Sequence, residues 1–211
     1  KNGPLAVSEA VSLTHFLLEA GQFFAGHDLV HGDIKPENIL VLREGGGIQF
    51  KLIDFGSVTE VFSLTTRAGT PSFLAPERFQ QAPISERTEV FSIGVTLFLA
   101  LTGKYPYGEI EPFQTPVFHS PLRLTKVSAN IPPWLESVAL RAVAAAPEDR
   151  YQTYSEMKYD LENPDRVRPW FRKDTPLLVR NPLLFYKTGF FILLILCLIL
   201  LCLLMNQKQL R

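Results

Sequence analysis

A histidine, an aspartate, a lysine and an asparagine lie close together in the stretch HGDIKPENIL, which runs from His31 to Leu40. The proline in its middle and the polar residues around it predict a loop, and the apolar residues that end it begin a β-prone run. The candidate reactive groups are the carboxylate of Asp33, the ammonium of Lys35 and the amide of Asn38. Such groups, held in one loop, are suited to act on a phosphate.

A predicted hairpin brings a second carboxylate back to this loop. Ile39–Leu42 is β-prone and Ile48–Ile53 alternates like a strand. The glycines between them join two strands and open no helix, so they favour a turn over a phosphate cradle. Because a hairpin returns to its start, we expect Asp54 to lie near Asp33 and Asn38. Mg²⁺ takes oxygen ligands, typically one or two carboxylates plus substrate phosphates, so the set predicts a magnesium–phosphate site.

Most of the remaining periodic sequence predicts helices. Ser8–Gly26 has apolar residues on one face and Ser8 in position to cap it. Thr88–Gly103 is apolar on nearly every side, which is typical of a helix at the centre of a helical domain. Two further helices are predicted near Trp134–Ala145 and Tyr154–Leu161. The fold class is therefore mainly α with a short hairpin.

Composition narrows the class of protein. The 211 residues are 46% hydrophobic and carry no net charge, which excludes a disordered tail. The first 160 residues contain no basic stripe, so no nucleic-acid partner is expected. The cysteines, Cys197 and Cys202, both lie in one apolar run, where we expect them to be packing residues. A globular part without cysteine fits a reducing compartment.

That apolar run predicts a membrane span. Gly189–Met205 contains no charged residue and would extend ~26 Å as a helix, so a single transmembrane helix is predicted over 188–206, with 207–211 as a short tail. A buried globular helix is the less favoured alternative. The cations on its N-terminal side outnumber those that follow it, and they are Arg166, Arg168, Arg172, Lys173, Arg180 and Lys187, against Lys208 and Arg211. This bias predicts a single-pass protein of the cell membrane with its globular part in the cytoplasm, joined by a basic juxtamembrane linker over 162–187 that rests on the lipid surface.

Three motifs resemble those of protein serine/threonine kinases. HGDIKPEN looks like the catalytic loop, DFG at Asp54–Gly56 like the metal-binding motif, and GTPSFLAPE like the end of the activation segment. They occur in the kinase order at kinase-like intervals, followed by a buried helix and a late PEDRY. The resemblance covers Leu5 to about Leu161 and implies a protein-kinase-like C-terminal lobe over 1–161.

The resemblance also implies a role for each matching residue. Asp33 resembles the catalytic aspartate that accepts the proton of a substrate hydroxyl, and Lys35 the lysine that steadies the γ-phosphate of ATP. Asn38 and Asp54 resemble the two Mg²⁺ ligands. Thr70 resembles the threonine that hydrogen-bonds the catalytic aspartate and lysine. The implied reaction transfers the ATP γ-phosphate to Ser or Thr of a protein substrate.

Other matching residues are expected to be structural. Glu77 resembles the glutamate that closes the activation segment, with Arg150 as its partner. His31 and Phe55 are expected to pack beside the site, with Gly56 completing the DFG motif.

Two residues depart from the kinase pattern. Gly32 stands where kinases commonly have the arginine that pairs with a phosphorylated activation loop, which argues against switching by such phosphorylation, although Ser63, Thr65 and Thr66 are available. Glu89 stands where the central helix usually carries aspartate, and its extra methylene should still permit a hydrogen bond to the catalytic-loop backbone.

Two other classes remain open. HGD followed by Asn38 and IDFG also resembles small-molecule phosphotransferases of the aminoglycoside and choline kinase type. Lys35–Pro36 and GTPSFLAPE favour the protein kinase, because that segment forms the shelf for a peptide substrate. A pseudokinase-like binding module at the membrane is the non-enzymatic alternative, and the intact set of reactive residues argues against it.

The nucleotide-binding N-terminal lobe of a kinase is absent from this sequence. A glycine-rich loop, a strand lysine and a helix glutamate would precede the first helix, and the residues before Ser8 supply none of them. Either these parts lie upstream on the same polypeptide, or the product is a lobe without its nucleotide lid. In both cases we expect no detectable phosphoryl transfer from residues 1–211 alone. YPYGEIEPFQTP, the basic linker and the C-terminal membrane helix are similar to bacterial membrane-anchored kinases in which a metal-dependent phosphatase domain precedes the kinase.

Overall fold

The computed structural model describes residues 3–44, 47–63, 69–171 and 175–209. The chain divides into two compact units, Lys1–Trp170 and Phe171–Arg211. Helices dominate the first unit, and its strands are short.

The helices of the first unit are α1 Val7–Ala25, α2 Glu86–Thr102, α3 Leu124–Val127, α4 Pro133–Ala142 and α5 Tyr154–Glu162. Its strands are β1 Leu29–Val30, β2 Ile39–Glu44, β3 Gly47–Leu52 and β4 Thr59–Glu60. They form two antiparallel pairs, β1 with β4 and β2 with β3. Short 3₁₀ turns begin at Pro36, Pro71, Pro76 and Pro147, where the fixed φ of proline suits the first position of a turn.

The predicted hairpin is confirmed. β2 pairs with β3 from Ile39 opposite Leu52 to Glu44 opposite Gly47. The pairing continues past the strands, because the N–H of Ile53 donates to the carbonyl of Asn38 at 2.9 Å. Asp54, the residue after Ile53, therefore follows directly on a backbone contact with the loop that precedes β2.

The first helix is where the sequence predicts it, but its cap is different. The helix begins at Val7, so the prediction that Ser8 caps it is wrong. Instead, the N–H of Ala6 donates to the Glu9 carboxylate at 3.3 Å, which occupies one donor at the helix start. Leu13, Leu17 and other apolar residues of its inner face are buried in the core.

The central helix α2 is confirmed. It contacts both α1 and α4, and its buried residues lie on every side of the helix. Gly94 permits close packing, since a Cβ there would lie only 2.7 Å from the Cβ of Ala142 in α4. The helix ends at Gly103, whose φ of 67° closes it in the left-handed conformation that glycine adopts readily.

The segment that follows α5 belongs to the first unit. A 3₁₀ turn spans Pro164–Arg166, and Val167 packs against the core. The N–H of Trp170 donates to the Ser137 hydroxyl of α4 at 3.4 Å. The beginning of the stretch predicted as a linker is therefore folded onto the lobe, whereas Arg172 and Lys173 lie outside the described residues.

The second unit contains a short helix, α6 Leu177–Arg180, and a long one, α7 Pro182–Gln209. The side chain of Asn181 accepts the N–H of Leu184 at 2.9 Å and so caps α7. Within α7, Pro182–Leu200 has a mean hydropathy of 2.5 and none of it is buried. By length and composition it could cross a membrane, and no other helix among the described residues passes the same test.

Candidate active site

Asp33 is the centre of the candidate site, and its carboxylate has partners on both oxygens. One oxygen lies 2.7 Å from the ammonium nitrogen of Lys35 and 3.1 Å from the amide nitrogen of Asn38. The other accepts the backbone N–H of Thr70 at 3.2 Å. The side chain of Asp33 is only 11% exposed, so these contacts determine its orientation.

Lys35 connects the catalytic loop to the segment that resembles the end of an activation segment. Besides its contact with Asp33, its ammonium donates to the hydroxyl of Thr70 at 2.7 Å. A 3₁₀ turn at Pro36–Asn38 follows the lysine directly and connects it to β2. The catalytic loop and the segment that contains Thr70 are thus joined by a compact polar cluster of Asp33, Lys35 and Thr70.

The hairpin returns the chain to Asn38 one residue before Asp54, since the N–H of Ile53 donates to the Asn38 carbonyl at 2.9 Å. The Asn38 amide nitrogen also donates to the Asp33 backbone carbonyl at 2.8 Å, so both hydrogen bonds from Asn38 to Asp33 use this nitrogen. Asp54 is exposed and has φ 62°, and one of its oxygens accepts the Gly56 N–H at 3.2 Å. The left-handed backbone at Asp54 turns the chain sharply away from β3.

His31 and Phe55 pack together beside the site. Their rings are 5.7 Å apart, and Phe24 of α1 lies against both. His31 is fully buried, and its Nδ1 accepts the N–H of Asp33 at 3.3 Å. Burial lowers the pKa of His31, although the Ile53 backbone and the nearby carboxylates act in the opposite direction. The ring therefore packs beside the site, and its Nδ1 orients the backbone of Asp33.

Gly32 is held on two sides. Its N–H donates to the Glu89 carboxylate of α2 at 2.8 Å. Its φ is +82°, and a Cβ there would lie 2.6 Å from the Ser57 carbonyl oxygen. In this conformation, the position where kinases commonly carry arginine suits glycine alone.

Glu89 is buried inside the lobe. Burial raises its pKa, while the Gly32 N–H and the Tyr154 hydroxyl act in the opposite direction. Tyr154, on α5, is a residue that sequence reasoning missed as part of this network. No motif marks it, because a tyrosine on the inner face of a helix has the pattern of an ordinary core residue.

Glu77 and the buried Arg150 form an ion pair. Two parallel hydrogen bonds of 2.7 Å join the guanidinium to the carboxylate, and the Arg150 side chain is fully buried. Its remaining donors reach backbone carbonyls, namely those of Ala144, Ala145 and Arg87. The pair ties the segment after Thr70 to the loop between α4 and α5, and every guanidinium N–H has an acceptor.

The predicted phosphorylation candidates are only partly described. The N–H of Ser63 donates to the Glu60 carbonyl at 3.1 Å, at the end of β4. Thr65 and Thr66 lie outside the described residues.

Comparison with known proteins agrees with the motifs. The protein kinase domain family matches residues 1–155, which is most of the chain. The serine/threonine-protein kinase PknB of Mycolicibacterium smegmatis is 32% identical over 170 residues, covering 76% of this chain and 27% of that protein. Pkn1 of Myxococcus xanthus, also a serine/threonine-protein kinase, is 31% identical over 185 residues, covering 82% of this chain and 27% of that protein. The chain thus spans about a quarter of the length of these relatives.

Solved structures of other kinases have a similar fold. The kinase domain of Mycobacterium tuberculosis PknI aligns with a TM-score of 0.60 and 23% identity, covering 77% of this chain and 57% of that one. The kinase PK-1 of Cydia pomonella granulovirus aligns with a TM-score of 0.60 and 21% identity, covering 71% of this chain and 56% of that one. The prediction of a mainly helical kinase C-terminal lobe with a short hairpin is confirmed. The chain belongs to the protein kinase family.

Proposed function

We propose that this chain supplies the catalytic loop of a serine/threonine protein kinase, which transfers the γ-phosphate of ATP to a protein hydroxyl. The observation that carries this proposal is the polar cluster of Asp33, Lys35 and Thr70, joined by contacts of 2.7–3.2 Å. A binding module has no need of a carboxylate and an ammonium fixed so closely at an accessible loop. The assembled cluster therefore favours an enzyme over a pseudokinase-like module.

Each residue of the cluster has a distinct task in this proposal. Asp33 accepts a hydrogen bond from the Ser or Thr hydroxyl of the substrate and takes its proton as the oxygen attacks the γ-phosphorus. The bond between that phosphorus and the bridging oxygen of ADP then breaks. Lys35 stabilises the negative charge on the transferring group. Thr70 orients the side chains of Asp33 and Lys35.

Asn38 and Asp54 fit a magnesium ion only in company with substrate phosphates. Asn38 uses its amide nitrogen on Asp33, so its oxygen remains for a metal, and Asp54 contributes a carboxylate on an exposed turn. Within the described residues, no three His, Cys, Asp or Glu side chains form a metal site of their own. Mg²⁺ typically binds through one or two protein carboxylates together with substrate phosphates. When bound, the ion neutralises charge on the phosphates.

We also propose that α7 anchors the kinase in the cell membrane. The candidate span Pro182–Leu200 is apolar and unburied, and Arg180 and Lys187 lie at its N-terminal end. By the positive-inside tendency, this end faces the cytoplasm, where ATP is available. The predicted bounds 188–206 and the linker 162–187 belong to the same proposal.

Phosphoryl transfer by the natural full-length protein, purified in detergent, tests the enzymatic proposal. The wild type should transfer phosphate from Mg·ATP to Ser or Thr of casein, and Asp33→Asn should abolish the transfer. Asp28→Asn is a matched control, because Asp28 is exposed and lies just before the catalytic loop in a left-handed conformation that asparagine tolerates.

Two results would contradict the proposal. A wild type that binds ATP without transferring phosphate would indicate a pseudokinase-like module. Phosphorylation of choline or an aminoglycoside, with no protein phosphorylated, would indicate a small-molecule phosphotransferase.

A further inference from the structure

Glu89 links the catalytic loop to a helix far along the chain. One of its carboxylate oxygens accepts the Gly32 N–H at 2.8 Å, and the other accepts the Tyr154 hydroxyl at 2.8 Å. Glu89 and Tyr154 are both buried. Because both residues are buried, each of these hydrogen bonds is costly to lose.

Tyr154 can orient Glu89 because it is itself held firmly. A Cβ on Gly21 of α1 would lie 2.7 Å from the Tyr154 ring, so the ring lies directly against the backbone of that helix. The N–H of Tyr154 also donates to the Glu86 carboxylate at the start of α2, at 3.2 Å. Close packing on one side and a polar contact on the other leave the ring little freedom.

The other end of the link adjoins the reactive carboxylate. Gly32 immediately precedes Asp33, and its left-handed φ of +82° places it against the Ser57 carbonyl. The Gly32 N–H therefore has one acceptor, Glu89, while the opposite side of the residue is closed by backbone. A shift of Gly32 changes the direction in which Asp33 leaves the backbone.

We propose that Tyr154 is a positioning residue for phosphoryl transfer, acting through Glu89 on Gly32 and so on Asp33. Glu89 stands where the resembling kinases usually have aspartate, and glutamate has one more rotatable bond. The Tyr154 hydroxyl fixes the second carboxylate oxygen and so removes the freedom that the longer side chain adds. The proposal rests on the proposed kinase function, which it extends to a residue outside the catalytic motifs.

The first test compares two buried tyrosines in the natural full-length protein. Tyr154→Phe keeps the ring and removes the hydroxyl, and we expect kcat for casein to fall by roughly three- to tenfold with the KM for ATP changed by less than about twofold. Tyr151→Phe is the matched control. Tyr151 is equally buried and its hydroxyl also donates to a carboxylate, that of Asp160 at 2.8 Å, but the control should retain the wild-type kcat.

A double-mutant cycle shows whether Tyr154 acts through Glu89. In the Glu89→Gln background, Tyr154→Phe should lower kcat by less than about twofold, because the path to Gly32 is already altered. Equal effects of Tyr154→Phe in both backgrounds would overturn the proposal. So would an unchanged kcat in Tyr154→Phe, or an equal fall of kcat in Tyr151→Phe.

Amide hydrogen exchange provides a readout that does not depend on activity. Tyr154→Phe should speed exchange in the peptide that contains Gly32 and Asp33, whereas Tyr151→Phe should leave that peptide at the wild-type rate. No change in that peptide would overturn the proposal even if the protein were inactive. A wild type without phosphoryl transfer, but with the expected change in exchange, would overturn the proposed function while leaving the positional link standing.

Discussion

The ammonium nitrogen of Lys35 lies 2.7 Å from a carboxylate oxygen of Asp33 and 2.7 Å from the hydroxyl of Thr70. Asp33 and Lys35 share one loop, whereas Thr70 lies 35 residues further along the chain than Lys35. Contacts that hold reactive side chains in a fixed arrangement lower the cost of organising a site for reaction. Loss of the Thr70 hydroxyl is therefore expected to affect the reaction more than the fold.

Thr70→Val tests that expectation. The substitution removes the hydroxyl that accepts from Lys35 and keeps the backbone N–H that donates to Asp33. We expect kcat to fall roughly tenfold, because the lysine loses one of its two orienting contacts. Thr70→Ser retains the hydroxyl and should stay near the wild-type rate in the same Mg·ATP assay. Similar rates for the valine and serine variants would mean that the contact has no part in catalysis.

Arg150 is expected to contribute to stability. All its N–H groups are used inside the protein, so Arg150→Ala leaves the Glu77 carboxylate, which is only 15% exposed, without its partner. We expect a cost of about 3 kcal/mol in the free energy of unfolding. Thermal and urea unfolding of the purified protein measure this loss. Lys158→Ala is the control, since it breaks an exposed ion pair with Glu19 whose N–O distance is similar, 2.8 Å. This variant should leave the unfolding midpoint nearly unchanged. Equal shifts for both variants would contradict the structure.

Much of this site could be predicted from the sequence, because its residues are close along the chain or joined by one hairpin. Asp33, Lys35 and Asn38 share a loop, and the alternation of Ile48–Ile53 was enough to return Asp54 to it. The helices were predictable for the same reason, since periodicity is a local property.

Contacts between distant segments were harder to predict. The pairing of Glu77 with Arg150 came from a resemblance and from no local pattern. The link from Tyr154 to Glu89 was not predicted at all, because apolar periodicity places Tyr154 in the core without saying what its hydroxyl meets. The prediction that Ser8 caps α1 was wrong, because several residues near Ser8 could begin the helix. The side chain of Glu9 favours the earlier start by accepting the N–H of Ala6.

Introducing at position 32 the arginine that kinases commonly carry is expected to impair this protein. Gly32→Arg should lower kcat, because any Cβ at this position meets the Ser57 carbonyl at 2.6 Å in a left-handed backbone. The strain is worth about 1–3 kcal/mol. This strain should lower the thermal stability of Gly32→Arg. Gly32→Ala should show most of that loss of thermal stability, since the clash begins at Cβ. An alanine variant with wild-type stability and activity would show that the loop relaxes freely.

Glu136 should make stability depend on pH. It is buried, which acts to raise its pKa, but hydrogen bonds from Arg123 and Thr125 outweigh burial and the pKa lies below its ordinary value. A carboxyl with a lowered folded-state pKa stabilises the fold above its unfolded pKa, and the contribution is lost as pH falls through the folded value. Glu136→Gln should therefore cost about 1 kcal/mol at pH 7, after allowance for the half-exposed Arg123. Urea unfolding of both proteins should show this difference shrinking below about pH 4.5, and a constant difference at all pH values would exclude the ionic contribution.

The membrane assignment of α7 predicts how the protein partitions. Pro182–Leu200 has no buried residue, so its leucine side chains have no partner inside the described fold and gain from contact with lipid. Replacing Leu193 and Leu196 together by arginine should cost ~6 kcal/mol of insertion free energy, at about 3 kcal/mol for each charge near the centre of a span. Extraction of cell membranes with alkaline carbonate should leave the wild type in the pellet and release the double variant. Replacing the same two leucines by alanine is the control, and it should remain in the pellet. Release of the wild type by carbonate would mean that α7 does not span the bilayer.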